Sequence, residues 1–116
     1  MSLGQQIAER RSNRQRRVIE IPEWGNDDDR PLMLYASSIT AGDLKKIQRK
    51  HKNFLNEMSI DGMVDLIIMK AEDHEGTKLF TLEDKVYLMG EDIGVISKVA
   101  EQMFGDVASI EEAEKN

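Results

Sequence analysis

The apolar segment Ile60–Ala71 (IDGMVDLIIMKA) restricts the possible folds of this chain more than any other feature. Ser59 comes directly before it and is a favoured N-cap residue, and Asp61 in the first turn suits the helix dipole. One face of the predicted helix carries Ile60, Met63, Val64, Ile67, Ile68 and Ala71, and Leu66 and Met69 widen it. A helix with more than half of its circumference apolar must pack on several neighbours. The segment is therefore predicted to be the central helix of a bundle, or to carry an oligomer contact as well.

Capping signals predict three more helices around this segment. A threonine followed by an aspartate three residues later, the spacing of an acidic capping box, occurs twice. Glycines mark the expected helix ends, because glycine adopts the backbone conformations found there at little cost. The predicted helix starts are Thr40, Thr81 and Glu91-Asp92, and the predicted ends are Gly90 and Gly105.

Two short apolar segments near the N-terminus, residues 18–21 and 32–36, are strand candidates. Pro22 ends the first one, and residues 25–31 have the composition of a loop. The two segments are predicted to pair as a hairpin, which must lie on the helices or on a neighbouring subunit because a lone hairpin is marginally stable. The expected fold is mainly α, of the α+β class: a small four-helix domain with an N-terminal β-hairpin.

The charges divide the chain into three parts. Residues 1–17 carry five Arg against one Glu, a net charge of +4, whereas residues 18–116 carry a net charge of −10. We expect a basic arm over residues 1–17, disordered or forming a frayed helix, a single globular domain over residues 18–105 and an acidic tail over residues 106–116. The arm could contact phosphate, an acidic partner or the acidic body. Nucleic-acid binding is not expected of the body, which repels phosphate.

The acidic run around Asp73 resembles a calcium-binding loop only superficially. In such a loop starting at Asp73, the required glycine would be Lys78 and the bidentate glutamate would be Asp84. The sequence instead predicts a tight turn in which Gly76 supplies a positive φ and Asp73 bonds its own backbone.

No motif in the sequence predicts catalysis, a cofactor or a metal site. There is no Cys, and the two histidines, His51 and His74, lack metal-ligand spacing. The loop carboxylates Asp27–Asp29 and the paired acids of the helix starts are explained by solvation and helix dipoles. No apolar run approaches the roughly 18 residues of a membrane span. We therefore expect a protein that is not an enzyme, binds no cofactor and does not enter a membrane.

Three segments in order resemble the tail assembly chaperones of long-tailed bacteriophages. They are residues 18–25 (VIEIPEWG), 35–43 (YASSITAGD) and 63–84 (MVDLIIMKAEDHEGTKLFTLED). The shared pattern is an extended piece ending near a tryptophan, then a capped helix start, then an apolar helix that runs into Asp-x-Glu-Gly-x-x-Leu-Phe and a further cap. The resemblance covers residues 18–104 and does not include the arginine-rich arm.

The resemblance implies a small, acidic, helical protein that self-associates in the cytoplasm of the bacterial host. Such chaperones coat the tape measure protein, are displaced as the tail tube polymerises and are absent from the finished particle. Many are made in two lengths by a translational frameshift. This chain is similar to the short form, and a longer form, beginning from the end at Ser109–Asn116, would recruit the tail tube protein.

A chaperone for a long helical rod needs apolar helix faces and adaptable side chains. The predicted partner-contacting residues are Met63, Leu66, Met69, Val86, Met89 and Trp24. Trp24 is interpreted first as an anchor of the hairpin, with an interface role as the alternative.

Two other functions stay open. The chain could be a small regulatory protein of the antitoxin type whose basic arm contacts DNA, in which case its DNA affinity would depend on salt. It could also be a small metal-binding protein, in which case calcium would raise its melting temperature.

Overall fold

A computed structural model describes residues 2–25 and 30–105, which form five α-helices and one two-stranded antiparallel sheet. The elements are α1 (Leu3–Ser12), β1 (Arg17–Ile21), β2 (Leu32–Ala36), α2 (Ala41–Lys50), α3 (Ile60–Lys70), α4 (Lys85–Met89) and α5 (Ile93–Phe104). Two 3₁₀ turns, Pro22–Trp24 and Leu82–Asp84, follow β1 and precede α4. The predicted α+β class is confirmed, and α1 is the helix beyond the predicted four.

Helix α3 is the central helix of the domain, one of the two possibilities that its sequence allowed. It packs against α2, α4 and α5. Its buried residues are Gly62, Val64, Leu66, Ile67 and Ile68. The unusual apolar breadth of this helix is thus largely used within the core, since neighbours cover it on several sides.

The predicted hairpin is present and lies on the helices of its own chain. Ile19 of β1 pairs with Leu34 of β2, and both side chains are buried, whereas Val18 and Met33 on the other face are exposed. Strand β1 packs against α5. This alternation is what period-2 geometry requires of a sheet with one buried face.

A second connection ties β2 to the segment after α3. The backbone N–H groups of Tyr35 and Glu72 each donate to the other residue's carbonyl oxygen, both at 2.8 Å. Arg16, just before β1, donates to the carbonyl oxygen of Asp73 at 2.9 Å and lies over the Tyr35 ring at 4.9 Å. The N-terminal hairpin is therefore fixed to the turn that follows the central helix.

The predicted caps are in place. The Thr40 hydroxyl accepts from the Asp43 N–H while the Asp43 carboxylate accepts from the Thr40 N–H, both at 3.0 Å. The capping box at Thr81 is also present, but it opens a 3₁₀ turn that leads into α4. Gly105 ends α5 with a φ of +35°. These local signals are confirmed because each depends only on neighbouring residues.

The segment around Asp73 is the predicted tight turn. Its carboxylate accepts from the N–H groups of Glu75 at 2.9 Å and Thr77 at 3.0 Å, and Gly76 has a φ of +89°. The hydrogen bond from the Thr77 N–H is the main cause of a lowered pKa at Asp73. Desolvation of the carboxylate acts in the opposite direction but is outweighed. The clustered acids therefore organise the turn through its own backbone.

The basic arm, expected to be disordered or a frayed helix, is helical over most of its length. Residues Leu3–Ser12 form α1, which begins with a capping box between Ser2 and Gln5, and no residue of this helix is buried. Arg17 already belongs to β1, so the hairpin begins one residue before the predicted domain boundary. The predicted acidic tail, residues 106–116, and the loop carboxylates Asp27–Asp29 lie outside the described residues.

Candidate binding surface

A groove with a volume of about 490 Å³ lies between α2, α3 and the segment leading to α4, and we call it the α2/α3 groove. Its apolar lining residues are Ile47, Ile68, Met69, Phe80 and Leu82, and its polar lining residues are Lys46, Lys50, Asp65, Lys78 and Thr81. Most of the lining surface is apolar, while three of the five polar residues are lysines. The groove thus combines an apolar floor with positive charge.

The order of residues in α2 explains one side of this groove. Lys46 and Lys50 are four residues apart and share a helix face, while Ile47 between them is buried in the core. The α2 side of the groove therefore carries ammonium groups beside aliphatic side chains.

An exposed apolar face of α4 continues from the groove. Leu82, Val86 and Met89 are spaced four and three residues apart and are 74%, 70% and 44% exposed; together we call them the α4 ridge. Tyr87 beside them is 77% exposed, and within α4 only Leu88 is buried. Leu82 belongs to both the ridge and the groove, so the two form one continuous surface. Contiguous exposed apolar side chains of this kind are typical of interaction sites.

Asp65 at the groove is held by groups from both flanking helices. Its carboxylate accepts from His51 Nε2 at 2.8 Å and lies 3.0 Å from the Lys85 ammonium. Burial opposes ionisation of Asp65, but the hydrogen bonds from His51 and Lys85 outweigh it and lower its pKa. The hydrogen bond to Asp65 in turn raises the pKa of Lys85. This cluster fixes the end of α2 and the start of α4 against α3.

A second ion pair closes the other end of α3. Lys70 donates to the Asp43 carboxylate at 2.9 Å, to the Ser37 hydroxyl at 2.8 Å and to the Ser38 carbonyl oxygen at 3.2 Å. Burial opposes ionisation of Asp43, but hydrogen bonds from the Thr40 backbone and from Lys70 lower its pKa. Each of these charges has partners within the fold, which gives the pair a structural role.

The structure separates the predicted contact residues. Val86 and Met89 lie on the exposed ridge, and Met69 is half-buried and lines the groove. Met63 is half-buried and packs against the core. The choice of Leu66 is wrong, because its side chain is 0% exposed and a folded chain cannot present it to a partner.

Trp24 has the contacts of an anchor. Its indole N–H donates to the Glu91 carboxylate at 2.5 Å, and its ring meets the Phe80 ring edge-to-face with centroids 5.9 Å apart. Since Phe80 lines the groove, Trp24 packs against one of the groove residues. These contacts fit its first interpretation as an anchor, and an interface role for this half-buried side chain stays a prediction.

The two histidines lie apart and do different things. His51 is half-buried in the Asp65 cluster, whereas the side chain of His74 is 72% exposed in the turn. Across residues 2–25 and 30–105, no three His, Asp or Glu side chains are grouped so that they could hold a metal ion. Over the same ranges, no helix is both long and apolar enough to cross a membrane.

Comparisons of the chain with protein-family models, with curated proteins and with solved structures find no match.

Proposed function

We propose that this chain is a tail assembly chaperone of a long-tailed bacteriophage, and that it binds the tape measure protein through the α4 ridge and the α2/α3 groove. The observation that carries the proposal is the continuous exposed apolar surface formed by Leu82, Val86 and Met89 beside the groove. The ordered motifs at residues 18–25, 35–43 and 63–84 supply the family.

The physical chemistry of this surface suits such a partner. Before the tail tube forms around it, a tape measure protein is a long helical rod. A helix binds a groove through apolar side chains repeated every three or four residues. Met69 and Met89 can repack against differing side chains, because methionine is unbranched and polarisable. A small, adaptable contact also suits a chaperone that the growing tube must displace.

The remaining parts of the proposal follow the resemblance. The chaperone acts in the cytoplasm of the bacterial host, self-associates along the tape measure protein and leaves before the particle is complete. A longer, frameshifted form recruits the tail tube protein.

The test is co-purification with the tape measure protein encoded beside this chain's gene. The variant Val86→Asp/Met89→Asp places two carboxylates on the ridge and should reduce recovery of the complex at least about tenfold, as loss of interface anchors does. The matched control Leu3→Asp/Ile7→Asp makes the same chemical change on α1 and should retain the complex. Unchanged recovery with the folded ridge variant would contradict the proposal.

A DNA-contacting function is the second candidate, and one observation favours it. A depression is lined by three arginines, Arg11, Arg14 and Arg16, and by Ser12, Ser37, Ser38 and Thr40. Arg16, however, already donates to backbone carbonyl oxygens of the turn after α3. Salt-dependent binding to duplex DNA in a filter assay would favour this function over the chaperone.

A further inference from the structure

We propose that the α2/α3 groove selects an amphipathic helix that carries acidic residues along one edge of its apolar stripe. This inference rests on the proposed function and names the chemistry of the segment that the groove takes. The inferred occupant is a helix of the proposed partner, the tape measure protein.

Positive charge is concentrated on the α2 side of an acidic protein. Residues 45–52 contain five Lys or Arg and no Asp or Glu, in a chain with a net charge of −6. Lys46 and Lys50 from this run line the groove, and Lys78 joins them from the segment after α3. Opposite charge across an interface sets specificity and orientation, so the groove favours an acidic edge on its occupant.

The one carboxylate among the lining residues does not cancel this charge. Asp65 lies 2.8 Å from His51 Nε2 and 3.0 Å from Lys85 Nζ, and its side chain is only 12% exposed. Lys50 is farther from it, at 3.7 Å, and keeps a side chain that is 66% exposed. Lys46 and Lys50 therefore remain available to an incoming carboxylate while Asp65 is engaged within the fold. Lys78 also donates to the Met69 carbonyl oxygen, at 3.0 Å.

The apolar floor matches the stripe of a helix. Ile47, Ile68, Met69, Phe80 and Leu82 line a volume of about 490 Å³, which lies within the range of about 300–1,000 Å³ typical of protein binding sites. Leu82 extends this floor onto the α4 ridge. A helix with apolar residues at i, i+3, i+4 and i+7 could place them along the floor and the ridge together.

Two acidic residues adjoin Leu82, where the groove meets the ridge. Glu83 follows Leu82 directly and is exposed, and Asp84 comes next. Acids on the part of an occupant that lies beside Leu82 would meet repulsion, whereas acids beside Lys46 and Lys50 would be attracted. The charges thus favour an occupant whose acids lie along its α2 edge.

Two synthetic peptides test the inference against the full chain. Both peptides have about 18 residues, enough for five helical turns, and both carry the same stripe of leucines. Along one edge of this stripe, one peptide has glutamates and the other has lysines. By fluorescence anisotropy, the glutamate peptide should bind at least tenfold more tightly, and the difference should shrink with added salt. Equal affinities, or binding of neither peptide, would overturn the inference.

Charge reversal in the groove gives the sharper test. Lys46→Glu/Lys50→Glu should reverse the preference toward the lysine peptide. The matched control Lys45→Glu/Lys52→Glu makes the same change in net charge on α2 and beside it, at exposed residues that do not line the groove, and should keep the original preference. Reversal by both variants would assign the effect to net charge and overturn the inference. Loss of peptide binding because a second copy covers the groove, seen as a dimer by light scattering, would overturn it too.

The inference and the proposed function can fail separately. If the glutamate peptide binds with the expected charge dependence but the tape measure protein does not co-purify, the groove chemistry stands and the chaperone function is wrong. If the tape measure protein co-purifies equally with wild type and Lys46→Glu/Lys50→Glu but is lost with the ridge variant, the function stands and the acidic-helix inference is wrong.

Discussion

Helices α3 and α4 are both rich in large apolar residues, and they use them in opposite ways. In α3, Leu66 and Ile67 are 0% exposed, whereas in α4, Val86 and Tyr87 are 70% and 77% exposed. Helix α3 packs on three other helices, while α4 has five residues and one buried side chain, Leu88. Apolar content alone therefore does not identify a binding surface in this chain.

The difference depends on position in the fold. A central helix is apolar because its neighbours surround it, so its breadth carries no information about partners. Exposed apolar residues at the edge of the fold have no such explanation. Because they stay in contact with solvent, they do not stabilise the monomer through burial. The α4 ridge, and not the apolar breadth of α3, is the surface to which a function can be attached.

The largest expected effect tests this comparison directly. Leu66→Ala should lower the free energy of unfolding by about 2–5 kcal/mol, because it opens a cavity in the core. Val86→Ala should change it by no more than about 0.5 kcal/mol, since the side chain is exposed. Urea unfolding followed by circular dichroism measures both. A cost below about 1 kcal/mol for Leu66→Ala would break the comparison, because α3 would then not be the tightly packed helix.

Substitution of Gly62 in the first turn of α3 should give the next largest effect. A Cβ at Gly62 would lie 2.5 and 2.6 Å from two carbons of the Phe54 ring. Alanine normally stabilises a helix relative to glycine, but here overpacking should destabilise the protein by about 1–3 kcal/mol. The control is Gly42→Ala in the first turn of α2, where the nearest atom is the Thr40 hydroxyl oxygen at 3.6 Å. Thermal unfolding should show that Gly42→Ala is neutral or stabilising; a stabilising Gly62→Ala would mean that Phe54 does not pack tightly there.

The smallest expected effect concerns the Asp65 cluster that joins α3 to α4. The pKa of Asp65 is lowered in the folded protein, so its contribution is present above the unfolded pKa of about 3.9 and is lost as the pH falls through the folded value. Stability should therefore begin to fall below about pH 5. Asp65→Asn should lower the free energy of unfolding by about 1 kcal/mol at neutral pH. It should also make the free energy of unfolding depend less on pH below about pH 5.

The control for the pH experiment is Asp61→Asn, since Asp61 is 59% exposed and lies 3.7 Å from Lys85. It should leave the pH dependence close to that of the wild type. Equal flattening by both variants would show that the pH dependence reflects the general charge of α3 and not the buried contact with His51 and Lys85.

The local parts of the fold could be predicted from the sequence. The caps at Thr40, Ser59 and Thr81 and the turn at Asp73 each depend on residues within a few positions of one another. The hairpin followed from two short apolar segments. Helix α1 was left open between disorder and a frayed helix because it buries nothing, although Ser2 followed by Gln5 was a capping signal.

The binding surface could not be predicted in the same way. The groove combines Lys46 and Ile47 from α2 with Met69 from α3 and Phe80 from the next segment, and no local pattern joins them. The Asp65 cluster likewise joins residues 14 and 20 positions apart in sequence. Leu66 was misplaced because a wide apolar face shows that a helix has many neighbours but not which side they occupy.

The backbone pairing of Tyr35 with Glu72 also occupies one point on the outer edge of β2. A free strand edge is a template on which another chain can add a strand, and such growth is hard to reverse. On β2 this edge is occupied at Tyr35 by the segment after α3, and Glu72 is itself bridged to Lys78. At Tyr35, β2 therefore has no free backbone N–H or carbonyl group on its outer edge to which another chain could add a strand.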